Sequence, residues 1–151
     1  RLLEDRARAG CVGVGGLRRR GSTYKRMIIE ESDVASLAAL GHTVAQLLSS
    51  GVIESVADGF GYALAFERNP AEAIRADLAQ CLAELRASNL VTGVEVDVTV
   101  EYFEPNETGL IAAISSLIPT DNGASVLAEL VVTGGEVRKY VTLEQLSVVF
   151  A

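Results

Sequence analysis

NPAEAIRADLAQCLAELRASNLVTGVEVDVTVEYF, residues 69–103, contains the change of period that decides the fold. Asn69 stands as a helix cap, Pro70 takes the first helical position and Glu72 follows three residues after the cap, a capping-box arrangement. Ile74, Leu78, Cys81, Leu82 and Leu85 then fall on one stripe, while Arg75, Asp77, Glu84 and Arg86 point elsewhere. The helix is expected to end near Ser88 or Asn89. From Val94 the period drops to two, with Val94, Val96, Val98, Val100 and Tyr102 on one face and Glu95, Asp97, Thr99 and Glu101 on the other. That alternation predicts a half-buried antiparallel strand, and the amphipathic helix before it has a sheet to cover.

Downstream, residues 105–109 (PNETG) predict a turn, 110–118 a strand apolar on both faces, and 119–123 (PTDNG) a second turn. Residues 126–133 and 137–150 predict two further strands, joined at Gly134-Gly135 as a two-residue hairpin. The second half therefore reads as a helix followed by four strands in meander order. A last strand of up to 14 residues exceeds the common length of about five or six. It either breaks into two short strands with a bulge at Glu144-Gln145 or projects past the sheet. A projecting strand leaves backbone donors and acceptors for a partner chain. Val137, Tyr140, Val141, Leu146, Val148 and Phe150 are the partner-binding candidates along that strand edge.

Upstream, Val34, Leu37, Ala38, Gly41, Val44, Ala45 and Leu48 recur at helical spacing, with Ser32 or Asp33 able to cap the start and Gly51 to stop it. A first helix over residues 33–50 follows. Residues 51–69 read as an ordered loop in which Gly59 and Gly61 turn the chain while Phe60 and Tyr62 pack inward, with a short strand at 62–66. Residues 10–26, GCVGVGGLRRRGSTYKR, hold five glycines and no apolar period, and predict an extended arm. The fold class expected is α+β: two helices on an antiparallel sheet of about four strands, as one domain over residues 27–151, preceded by a basic Gly-rich arm over residues 1–26.

Charge divides the chain at the same place. Residues 1–26 hold eight basic and two acidic residues, whereas residues 27–151 hold five and eighteen, within an overall net charge of -7. A basic arm suits the acidic body of a neighbouring subunit, and Arg18, Arg19, Arg20, Tyr24, Lys25 and Arg26 are its candidate contact residues. Hydrophobic residues at 49% and charged residues at 22% are ordinary globular composition, and no apolar run nears the roughly 20 residues of a membrane span. RLLEDRARAG places acids and arginines where a signal peptide needs an apolar segment, so none is expected. Cys11 and Cys81 belong to no CxxC pattern, which predicts neither a zinc site nor a disulfide framework.

Candidate chemistry is sparse. Glu95, Asp97 and Glu101 share a strand face, as the carboxylate pair of a small hydrolase would require, yet an alternating strand turns that face to water or a partner. Glu30, Glu31 and Asp33 precede the first helix and favour its N-terminal dipole. His42, the one histidine, flanks an apolar stripe and has no partner histidine for a cluster. VGVGG has Arg18 where a dinucleotide loop needs its third glycine. Tyr24 among arginines could stack on a single-stranded base, but the acidic body would repel the phosphates. No catalytic residue, metal ligand or cofactor is expected, and neither nucleic acid nor membrane as partner; a carboxylate-dependent hydrolase and a nucleic-acid-contacting arm stand as the alternatives.

In its order of elements the chain resembles the small baseplate-wedge, or sheath-initiator, family of contractile phage tails and related injection systems. LLSSGVIESVADGFGYAL, residues 47–64, resembles that family's loop, with Phe60-Gly61 at its aromatic-Gly element; PAEAIRADLAQCLAEL resembles its second helix and VTGVEVDVTV its first following strand. ELRASNLVTG, residues 84–93, stands where the family often has Glu-Pro-Arg, and Ser49-Ser50-Gly51 where it has a Thr-Pro-x-Gly turn, so no functional residue carries over from those motifs. The resemblance implies a non-enzymatic virion or injection-machine protein that pairs its sheet edge with strands of neighbouring subunits.

Overall fold

The computed structural model describes residues 27–135 and 137–151. Their one sheet has five antiparallel strands: β1 (Met27–Ile29), β2 (Asp97–Tyr102), β3 (Leu110–Pro119), β4 (Ser125–Gly134) and β5 (Lys139–Val149), in the spatial order β1-β5-β4-β3-β2. Three α-helices, α1 (Val34–Ser49), α2 (Ile53–Phe60) and α3 (Pro70–Leu85), lie on one face, with a 3-10 turn at Ala63–Ala65. The α+β class is as the sequence predicts. Four strands and two helices are corrected to five and three.

The two added elements have different causes. Residues 53–60 form a helix because Ile53, Val56, Ala57 and Phe60 recur at i, i+3, i+4 and i+7 and are all buried. Gly61, at φ +71, ends it, and Phe60 and Tyr62 on either side both turn into the core. Where a strand was expected at 62–66, the chain makes the 3-10 turn instead. β1 has only three residues and is defined by its partner, with Met27, Ile28 and Ile29 opposite Val141, Tyr140 and Lys139.

Helices α1 and α3 follow their sequence signals. Asp33 caps α1, its carboxylate accepting from the Ser36 backbone N–H at 3.2 Å and from the Ser36 hydroxyl at 2.7 Å; these bonds hold the Asp33 carboxyl below its ordinary range. Asn69 caps α3 by accepting from the Glu72 N–H at 3.1 Å. α3 ends at Arg86, in the left-handed conformation at φ +57, earlier than Ser88 or Asn89. Its last carbonyls are met from the β3–β4 turn: the Asn122 amide donates to Leu85 O at 2.8 Å and to Arg86 O at 3.1 Å.

The core lies between the helices and one sheet face. Ala112, Ile114, Ser116 and Ile118 of β3, and Val126, Ala128, Leu130 and Val132 of β4, all face the helices and are buried. Ser116 is the polar member, and its hydroxyl donates to Gly41 O at 2.9 Å. α1 approaches the sheet so closely there that a Cβ on Gly41 would lie 2.6 Å from Val98 Cγ1 and 2.9 Å from Ile114 Cγ2.

β5 is one continuous strand with a bulge. Its pairing with β4 runs Leu143 opposite Leu130 and then Gln145 opposite Glu129, leaving Glu144 as the extra residue. The extra residue shifts the alternation by one, so that Val141, Leu143, Leu146 and Val148 all face the helices despite their unequal spacing. The strand starts at Lys139, not Val137, and residues 135–138 connect it to β4, in place of a two-residue hairpin. β2 likewise starts at Asp97, three residues later than the valine alternation suggests.

Candidate functional site

Two stretches of strand edge have no strand beside them among the described residues. One is the outer edge of β2, at the end of the sheet. The other is β5 past Val141, because β1 pairs only with Lys139, Tyr140 and Val141. An uncovered edge holds ladder donors and acceptors ready for another chain.

The predicted edge residues divide by face. Val141 is fully buried and Leu146 nearly so, both in the core against the helices; any contact they make with a partner is through backbone. Val148 packs partly against the core. Tyr140 is half-buried on the opposite face, between Ile28 and Thr133. Phe150 is exposed just past the strand, and Val137, 95% exposed, belongs to the connection before it. Of the predicted arm contacts, Arg18, Arg19, Arg20, Tyr24, Lys25 and Arg26 lie outside the described residues.

Alongside the uncovered part of β5 runs a shallow groove of about 270 Å³, walled by Asp77, Gln80, Cys81 and Glu84 of α3 and by Leu146, Ser147 and Val148 of β5. Its α3 wall exists because residues 77, 80, 81 and 84 share a helical face. Burial, with the charges of Glu84 and Asp77, pushes the Cys81 thiol up, so this cysteine stays protonated.

At one end of the groove Asp77 joins a network that fixes the α2–α3 connection. The buried Tyr62 hydroxyl donates to Asp77 Oδ2 at 2.6 Å, and Arg68 meets Asp77 Oδ1 at 3.3 Å. Arg68 also donates to Leu64 O at 2.6 Å and Ala65 O at 3.2 Å. Burial would raise the Asp77 carboxyl, but the bonds from Tyr62 and Arg68 outweigh it and leave the group lowered. Burial first, and then the bond to Asp77, raise the Tyr62 hydroxyl far above its usual value. Tyr62 is thus a fixed donor.

Sequence reasoning missed what this network presents. Phe66, between the 3-10 turn and Arg68, has φ +55 and ψ -116 and is 76% exposed. A bulky residue there is strained, and the Arg68 bonds to both preceding carbonyls hold it. The alternation of YALAF suggested a strand end, and no local signal marks the strain. Ile28, 56% exposed beside Tyr140, was hidden by the shortness of β1.

The carboxylate row is broken up by the fold. Asp97 and Glu101 face away from the helices, opposite Leu117 and Ala113. Glu95 lies before the strand, in a second groove of about 270 Å³ with His42, Gln46 and Ser49 of α1, and that groove includes neither Asp97 nor Glu101. Among the described residues no three His, Cys, Asp or Glu side chains converge as metal ligands, and no helix is long and apolar enough to cross a membrane.

The face of the sheet away from the helices is half-apolar. Leu117 and Leu127 are opposed on it and half-buried, as is Val131, next to an Asp97, Glu101 and Glu129 fringe in which Gln145 donates to Glu129 at 2.8 Å. No helix or strand of the described residues covers this face. No family model matches the chain, and neither the curated proteins nor the solved structures compared with it gave a match.

Proposed function

We propose that the protein is a non-enzymatic structural component of a contractile phage tail, baseplate or related injection assembly, residing in the virion and contacting neighbouring subunits through its N-terminal arm and a sheet edge. The observation that carries this reading is the outer edge of β2. It pairs with β3 through six residues without a register shift and contains no proline, lysine or bulge, three of the devices that keep an edge from adding strands. Its charges are Asp97 and Glu101, which suit a basic partner such as the arm of a neighbour. The order of helix, Phe60-Gly61, helix and strands supports the same reading, as does the charge difference between arm and body.

In this reading the chain uses no cofactor or metal, and its partners are other virion or injection-machine proteins. Lysine cross-linking and mass spectrometry of purified tail or injection particles test it. The expected result is a fixed copy number per particle, with cross-links from Lys25 or Lys139 to other subunits. Particles that lack the chain overturn it, and so does recovery of the chain bound only to nucleic acid.

A further inference from the structure

We propose that Phe66 anchors a contact with a second, different protein of the assembly, which receives the ring in an apolar pocket with a basic rim. The contact rests on the assembly role proposed above and lies apart from the β2 edge. The 3-10 turn before Phe66 packs against β5 and α3, toward the other end of the sheet.

On conformational grounds phenylalanine is the wrong residue for this position. The Arg68 N–H donates to Ala65 O at 2.9 Å, closing a four-residue turn in which Phe66 is the first central residue. Its φ +55 and ψ -116 are those of a type II′ turn, where that place belongs to glycine. A side chain there is strained, and the ring contributes little to the core, being 76% exposed among the described residues. The turn is nevertheless held firmly. The Arg68 guanidinium donates to Leu64 O and Ala65 O and pairs with Asp77, which accepts from Tyr62 as well. A strained aromatic that is fixed in place yet left outside its own core has the character of an interface anchor, presented in advance for a partner.

Shape and charge define that partner. Glu67, Arg68 and Asn69 after Phe66 are all exposed, so the ring is a single knob, suited to a pocket and not to a flat apolar face. Arg68 is paired with Asp77, whereas Glu67 has no ion-pair partner among the described residues, and a basic rim complements it. A second copy does not fit. Of the two grooves described above, one is lined by Asp77 and Glu84 and the other by Glu95, and neither has an arginine or a lysine.

Phe66→Gly separates a contact residue from a structural one. In the isolated full-length chain glycine relieves the turn, so Tm is expected to rise by about 2–5 °C, and a fall overturns the proposal. In purified tail or injection particles, assembled in competition with the unsubstituted chain, the same variant is expected at least about tenfold less often, and Glu67→Lys likewise. Equal incorporation of Phe66→Gly overturns the anchor, and equal incorporation of Glu67→Lys overturns the basic rim. p-Benzoyl-phenylalanine placed at position 66 is expected to photo-cross-link to one other protein of the particle. Adducts only within the same copy or to a second copy overturn the choice of partner. Particles that lack the chain overturn the assembly role and this contact together, whereas particles that hold it without any adduct from position 66 overturn the contact alone.

Discussion

At the scale of single residues, the structure depends on a few positions where one atom decides the outcome. Gly41 is one: Gly41→Ala places a methyl against Val98, Ile114 and the Ser116 hydroxyl at once. Calorimetry should find the variant less stable by about 1–3 kcal/mol, despite alanine's better helix propensity. Tyr62 and Asp77 form the second such point. Tyr62→Phe removes a hydrogen bond to a carboxylate and should cost about 1.5–3 kcal/mol. Asp77 adds a pH dependence of known sign. Its folded carboxyl titrates below the ordinary 3.8, so the stability it contributes is complete above that value and is lost as pH falls through the folded one. Asp77→Asn should flatten the acid limb of a stability profile measured from pH 2 to 6 and leave the slope above pH 5 unchanged.

At the scale of elements, the chain settles its registers by devices that differ in how openly the sequence displays them. The caps at Asp33 and Asn69 and the stripes of α1 and α3 are local, and local patterns disclose them. α2 has the same apolar spacing, but Gly59 and Gly61 beside Phe60 make it read as a loop. β1 could not be read at all, because three residues hold no period and its pairing with β5 closes over more than a hundred residues. The Glu144 bulge lay between: the phase change from Leu143 to Leu146 is visible, but a break and a bulge give the same pattern. Deleting Glu144 tests its role. Without it Leu143, Leu146 and Val148 alternate strictly and all still face the helices, so denaturant unfolding should reveal a loss well below the roughly 3 kcal/mol that turning Leu146 and Val148 outward would cost. The 119–123 turn illustrates the same limit. Its sequence marks a turn, yet only the fold reveals Asn122 meeting the final carbonyls of α3, and Asn122→Ala should cost roughly 1–3 kcal/mol.

At the scale of the whole molecule, helices cover one face of the sheet, and among the described residues no helix or strand covers the other face or the β2 edge. The carboxylates that a sequence reading groups together are separated by this architecture, Glu95 into the α1 groove and Asp97 and Glu101 onto the outer face. An acidic edge and a basic arm in one chain are complementary in charge, which is the physical content of the proposed assembly role. Hydrogen exchange, compared between the isolated full-length chain and the chain within purified tail or injection particles, tests that role most directly. Backbone amides of residues 97–102 should exchange at least about tenfold more slowly in the particle, with the α1 and α3 amides unchanged. Identical exchange of residues 97–102 in both states would contradict it.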